Sequence, residues 1–219
     1  FEPRLHAEYF LRKNLSAAAS LTRMSQFLHQ VSGSNFGLPS DLWVPSTRDI
    51  SPQTMDEFSL SYHYKAKNFI ASLAYFNRRY SNVIDYLRTS DVFYTLIDNE
   101  NFEGILPSNE DWRESVTSGK GDAFGFEFNV ERNFTKSKLN LAYTYSKSTR
   151  EFTDINEGNP FPFSFDRRHD INMSFEYNLT NKSDIMVQFV YGTGHPYTLN
   201  IVVTEGIDEE PLLDPAIRN

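Results

Sequence analysis

Residues 124–145 read FGFEFNVERNFTKSKLNLAYTY, and their alternation decides the fold. Phe124, Phe126, Phe128 and Val130 occupy every second position, against Gly125, Glu127, Asn129 and Glu131. After the polar stretch NFTKSK the same rule resumes, with Leu139, Leu141, Tyr143 and Tyr145 against Asn140, Ala142, Thr144 and Ser146. Successive side chains of a β-strand point to opposite faces, so each segment is a strand with one apolar and one polar face. The polar stretch between them is a hairpin connection.

Working outward, the same period recurs on both sides. Phe1, Leu5, Ala7, Tyr9 and Leu11 oppose Glu2, Arg4, His6 and Glu8; then Leu15, Ala17, Ala19 and Leu21 begin a segment that runs to about Leu28. Phe58, Leu60, Tyr62 and Tyr64 face Ser59, Ser61 and His63, and Phe69, Ala71, Leu73 and Tyr75 follow in a segment reaching Leu87. Ile171, Met173, Phe175 and Tyr177 oppose Asp170, Asn172, Ser174 and Glu176, and Ile185, Val187, Phe189 and Tyr191 complete the pattern. That makes about eight strands, with a further short strand expected near Val92–Ile97.

The connections sort by length. Those near Arg12–Asn14, Lys65–Asn68, Asn133–Lys138 and Thr180–Asp184 are short, and those near His29–Pro52, Arg88–Lys120 and Thr153–Arg168 are long, in strict alternation. A soluble sandwich has no reason for this, because both its ends meet the same water. A barrel crossing the outer membrane has short periplasmic turns and long extracellular loops. The reading is therefore all-β, an antiparallel transmembrane β-barrel. Tyr9, Tyr62, Tyr64, Tyr143, Tyr145, Tyr177 and Tyr191 lie near strand ends, where interfacial aromatic girdles are expected.

Composition agrees and excludes other classes. Aromatic residues make up 15% of the 219, with 19 Phe and 12 Tyr, a strand-forming content. Hydrophobic residues are only 39%, and no window approaches the ~20 continuous apolar residues of a membrane helix. A net charge of -8 argues against a nucleic-acid partner, and the absence of Cys excludes thiol chemistry and disulfides. No signal peptide is visible; the strand-like opening FEPRLHAEYFL and the acidic end EGIDEEPLLDPAIRN read as the margins of a segment cut from a longer chain.

Several segments resemble one family in order and spacing. FEPRL (1–5), LTRMSQFLH (21–29), LPSDLWVPST (38–47), IDY (84–86), SGKGDAFGFEF (118–128), FDRRHDIN (165–172) and YGTGHPYT (191–198) together resemble the C-terminal half of TonB-dependent receptors of the Bacteroidetes type. The matching positions are Leu38, Pro39, Asp41, Trp43 and Pro45; Gly119, Lys120, Gly121, Gly125 and Glu127; and Asp166, Arg167, His169 and Asp170. The resemblance implies a barrel of about 22 strands around an N-terminal plug domain. Residues 1–219 would then be a partial barrel domain, with the plug, the TonB box and the final strands outside it. It further implies the outer membrane of a Gram-negative bacterium, import of a scarce solute (siderophore, glycan or peptide class) with energy delivered by TonB, and no enzymatic activity. Implied partners are outer-membrane lipid, the protein's own plug domain, the TonB-ExbB-ExbD system, a surface lipoprotein and the solute. A passive porin-like channel and a soluble secreted β-sheet binding module are the alternatives.

Site residues follow from position. Trp43, Phe161, Phe163 and Phe165 fall in expected extracellular loops, where their rings either stack on a ligand or pack the loops together. Glu127, Asn129, Glu131, Arg167, Asp170 and Glu176 are expected to face the lumen or the plug, as are Asn140, Thr144 and Asn172. The mixed charges Asp166–Asp170 read as lumen or plug contacts before a strand, not as a catalytic or metal cluster. His6, His29, His63, His169 and His195 show no metal-binding spacing, and the loop acids Asp98, Glu100, Glu103, Glu110, Asp111 and Glu114 follow no EF-hand pattern. No phosphate-binding loop, nucleophile elbow or dinucleotide fingerprint is present, so no catalytic residue, cofactor or metal is assigned. Asn14, Asn133, Asn178 and Asn181 open N-x-S/T triplets at turns, where Asn serves the backbone.

Overall fold

A computed structural model of the chain describes residues 1–31, 42–86 and 116–196. Eight long strands hydrogen-bond in chain order as one antiparallel sheet: β1 (Arg4–Arg12), β2 (Leu15–Gln26), β5 (Gln53–Ala66), β6 (Phe69–Tyr86), β7 (Val116–Asn133), β8 (Ser137–Glu151), β10 (His169–Thr180) and β11 (Ser183–Gly192). Two short strands, β3 (Leu28–Val31) and β4 (Leu42–Pro45), pair as a separate hairpin, and the two-residue β9 (Phe161–Pro162) adds to β8. The sheet is an open wall and does not close on itself.

Short turns at Lys13–Asn14, Lys67–Asn68, Phe134–Lys136 and Asn181–Lys182 all lie at one end of the sheet, and the long connections lie at the other. The eight alternating segments of the sequence are the eight long strands. Boundaries differ in three places. The second strand stops at Gln26, and Leu28, expected as its end, opens a β3–β4 hairpin that lies in the expected loop. The fifth strand starts at Val116 rather than near Phe124, because Gly119 and Gly121 interrupt the large-residue pattern without interrupting the hydrogen bonds. The loop before β10 contains β9 and a 3-10 turn at Asn156–Gly158. The short strand expected near Val92–Ile97 lies outside the described residues.

Cross-strand partners share a face, so the register sorts every side chain. One row runs Ala17–Tyr62–Leu73–Phe128–Tyr143–Ile171–Tyr191, with Tyr9 at its start. All of these belong to the apolar set of the sequence pattern. Many are large and remain exposed, among them Tyr62, Leu73, Phe126, Phe128, Phe175, Val187 and Phe189. A contiguous apolar surface of this extent is intolerable in water and calls for an apolar solvent.

The same row also measures the strand tilt. At β2 it crosses three residues from the turn residue Asn14, at Ala17. At β11 it crosses nine residues from the turn residue Lys182, at Tyr191. The stagger is six residues over six strand-to-strand steps, one residue per strand. About 3.3 Å of shift against about 4.8 Å between strands is a tilt of about 35°. Membrane barrels tilt their strands by about 35–45°. The lengths fit as well: β6 and β7 have 18 residues each and β8 has 15, so these strands project beyond a bilayer that ~9–11 residues can cross.

Near the long-loop end the two faces change character at a bulge. Asn82 adopts a left-handed φ of 58° and lies between Ser81, opposite Lys120, and Val83, opposite Gly119. The extra residue turns Val83 to the polar face and Ile84 to the apolar one. Ile84 and Val116 there receive Val44 and Ile50 from the β3–β4 region, while Val83 receives Phe152 and Ile155 from the loop before β10. Loops thus clasp the wall on both sides above the bulge.

Candidate functional site

The polar face is the candidate site, and the register places Glu127, Asn129, Glu131, Asp170 and Glu176 on it together with Thr144, Asn140 and Asn172. Near the short turns, a shallow concavity of about 340 Å³ is lined by Ser72, Asn129, Glu131, Asn140, Asn172 and Ser174. Asn140 Nδ2 donates to Ser174 Oγ at 3.1 Å, and Glu131 accepts from Asn133 Nδ2 at 3.0 Å and meets Lys138 Nζ at 3.2 Å. The surface offers amide and hydroxyl groups to a polar partner and no activated nucleophile.

Toward the long loops the face becomes aromatic and cationic. Gly119, Gly121 and Gly125 leave gaps that Phe152, Tyr80 and Phe76 fill; a Cβ on Gly119 would stand 2.5 Å from the Phe152 ring, and one on Gly125 would stand 2.7 Å from that of Phe76. The repeated glycines therefore admit rings from neighbouring elements against bare backbone. The Arg78 guanidinium lies 4.4 Å from the centre of the Phe76 ring and pairs with Glu57. Arg150 lies 3.8 Å from the centre of the Phe163 ring and faces Asp85 at 4.0 Å. Each guanidinium is thus held between an aromatic face and a carboxylate.

The loop aromatics divide by role. Phe161 stacks on Phe152 with ring centres 6.1 Å apart and belongs to the packing of the loop. Phe163 is half-buried against Arg150 and meets Phe165 edge-on at 5.3 Å; Phe165 is exposed and approaches His195 at 6.4 Å. Phe163 and Phe165 are thus the rings at the mouth of the polar face. Trp43 sits elsewhere. Its hairpin packs through Val44 against Ile50, Ile84 and Val116, and Trp43 itself is 56% exposed.

Asp166–Asp170 tie this loop to the sheet. Asp166, buried, accepts from the Ser148 N–H at 2.7 Å and pairs with Arg168 Nε at 2.9 Å. Arg167, on the polar side over Gly192, donates to Asp170 at 2.9 Å and to His195 Nε2 at 3.2 Å. His169 Nδ1 shares a hydrogen bond with the Tyr143 hydroxyl at 2.9 Å. Among the described residues no group of three or more His, Asp or Glu side chains could hold a metal. Sequence reasoning missed Arg78, Arg150, Tyr80 and Phe152; alternation gives their faces, but only cross-strand register puts them over the glycines.

His29 should give the β3–β4 hairpin a pH response. It is 2% exposed, its Nε2 lies 3.1 Å from Ser46 Oγ, and its Nδ1 has no partner. Burial holds its pKa below the ordinary 6.5, since desolvation disfavours the charged ring. A depressed pKa makes the neutral fold stable above pH 6.5 and costs stability as pH falls below it. Protease cleavage within residues 27–52 should therefore increase between pH 7.5 and pH 5 in the wild type and change little in His29→Phe. Equal pH dependence in both would remove His29 from the account.

The family model described as TonB dependent receptor-like, beta-barrel, matches residues 1–202. Among solved structures, the ferric yersiniabactin uptake receptor FyuA from Yersinia pestis matches with a TM-score of 0.54 at 15% identity, over 86% of this chain and 25% of that one. The chain thus spans about a quarter of the length of that receptor. No curated protein matches the chain.

Proposed function

Because the chain belongs to the TonB dependent receptor-like β-barrel family, we propose that it forms part of the wall of an outer-membrane receptor that imports a scarce solute with energy delivered by TonB. The observation that carries this reading is the two-faced, tilted sheet: an exposed apolar face for lipid and a polar face for a lumen, with short turns at one end and long loops at the other.

The polar face then looks into the barrel. Glu127, Asn129, Glu131, Asp170 and Glu176 contact a plug domain carried elsewhere in the protein, and Arg167 holds the loop above them. Phe163 and Phe165, with Arg150 beneath, meet the solute at the extracellular mouth. A siderophore, a glycan and a peptide each suit aromatic rings backed by a cation; the uptake of a ferric siderophore by the solved neighbour favours the first. The barrel lies in the outer membrane of a Gram-negative bacterium, of the Bacteroidetes type by its motifs, and a surface lipoprotein could cap the long loops.

A plugged lumen passes a large solute only when force is applied to the plug. In cells lacking TonB, surface binding of the solute by the full-length receptor should persist while internalisation falls to background. Separate measurement of bound and internalised ligand checks this, and internalisation at an unchanged rate without TonB favours a passive channel.

A further inference from the structure

The motif FDRRHDIN (165–172) and the start of YGTGHPYT (191–198) meet in one junction at the long-loop end of the sheet. Asp170 stands opposite Gly192, the Thr193 N–H donates to the His169 carbonyl at 2.9 Å, and the His169 N–H donates to Thr193 Oγ1 at 3.1 Å. None of these groups changes charge, so they fix the chain as far as Thr193 whatever the pH. Arg167 lies over the bare backbone of Gly192, where a Cβ would stand 2.9 Å from Nη1 and 3.1 Å from Cδ. From there Nη1 donates to Asp170 at 2.9 Å and Nη2 to His195 Nε2 at 3.2 Å. Phe165, on the same loop as Arg167, meets the His195 ring edge-on at 6.4 Å, and Phe163 meets Phe165 at 5.3 Å. One chain of contacts thus joins the loop before β10 to the segment that follows β11.

The chemistry of the pair fixes the state of the ring. A guanidinium carries donors only, so Nε2 accepts, and the His195 imidazole is neutral with its proton on Nδ1. Protonation removes that acceptor and sets a second positive charge beside Arg167. Imidazole is the side chain whose charge ordinarily changes between about pH 5 and 8. The neighbouring charges do not offset the change. Asp170 is already held by Arg167, and Asp166 by Arg168 at 2.9 Å. Glu127, in the row of Asp170 and Thr144, lies two strands from β10, and Asp184 lies at the far end of β11. His169 turns to the opposite face, where its Nδ1 shares a hydrogen bond with the Tyr143 hydroxyl.

We propose that Arg167 and His195 form a clasp that is closed while the imidazole is neutral and opens as the pH falls, releasing Gly194–Pro196 and loosening Phe165 and Phe163. The clasp stands on these contacts alone. Its effect on the solute rests on the reading of Phe163 and Phe165 as the mouth of a receptor.

The test uses the full-length receptor in a neutral detergent, with a nitroxide spin label on Gly194→Cys, where an added side chain meets open space. Electron paramagnetic resonance gives the ratio of ordered to mobile label at pH 7.5 and at pH 5. With His195 in place the ratio should fall by about fivefold or more, the effect of two like charges about 4 Å apart in water. His195→Gln keeps a neutral acceptor at both pH values and should hold the pH 7.5 ratio at each. His195→Lys carries its charge at both and should leave the label mobile at each. A ratio that does not change with pH while His195 is in place overturns the clasp, and this comparison stands even if a variant at 195 fails to fold. A change that survives in His195→Gln overturns it too, and passes the response to another group, His169 first. So does a label as ordered in His195→Lys as beside neutral His195. Uptake that proves independent of TonB would remove the transport reading and leave the clasp to these spectra.

Discussion

Phe126→Arg in the full-length receptor should sharply reduce the yield of folded barrel, whereas Asn129→Arg should leave it nearly unchanged. Phe126 lies in the middle of the apolar band, between Tyr75 and Tyr145 in its row, with its ring 5.2 Å from that of Tyr75. Asn129, three residues on, lines the polar concavity. An Arg facing lipid at the midplane costs about 2–4 kcal/mol, and the penalty fades toward the interfaces. At about 1.4 kcal/mol per tenfold, that is a factor of roughly 30 to 1,000 in the folding equilibrium. The change in electrophoretic mobility on heating separates folded from unfolded barrel and gives the yield. Because a one-residue slip exchanges the faces, the pair tests register as well as membrane insertion. Equal yields for the two variants would mean that the faces are assigned wrongly.

Phe152→Ala should release the loop between β8 and β10 while the barrel below it stays folded. Phe152 is 0% exposed, packed with Val83 and Ile155 and stacked on Phe161 above the bare backbone of Gly119. Truncating a fully buried Phe costs about 3–5 kcal/mol. The cost should fall on the loop, because the lower part of β8 keeps its ladders to β7 and β10. Gly119→Ala approaches the same contact from below, since its Cβ would collide with the Glu151 carbonyl oxygen and stand 2.5 Å from the Phe152 ring, and so strains the upper end of the β7–β8 pairing as well. Both variants should gain protease cleavage between residues 153 and 168 on intact cells and keep heat-modifiable migration. Both should also bind solute more weakly, because Phe163 and Arg150 hang from this loop and this strand end. A loop as resistant as the wild type in both variants would show that other contacts hold it.

How far the sequence reached is visible in particular residues. Phe124, Phe126, Phe128 and Val130 announced one face and Glu127, Asn129 and Glu131 the other, because alternation is a property of the extended backbone and needs no partner. The sorting of short and long connections was equally local, and it gave the strand count, the two ends and the membrane reading. Glu127, Asn129, Glu131, Asp170 and Glu176 could be placed on the polar face by parity alone.

What only the tertiary structure decided depends on register and on elements distant in the chain. The stagger of one residue per strand, and hence the tilt, exists only once Ala17 and Tyr191 are joined through five intervening strands. The sequence of β7 near Gly119 and Gly121 looked like loop, since its missing bulk is supplied by Phe152 and Tyr80 from elsewhere. The bulge at Asn82 reverses parity, so the alternation below it could not predict that Val83 and Ile84 both become buried, on opposite faces. Trp43 read as a loop aromatic from its position; only the pairing of β3 with β4 and the packing of Val44 show that it stands on a short hairpin held against Ile84 and Val116. Local periodicity determined which side of each strand meets lipid, while long-range pairing decided which side chains meet one another.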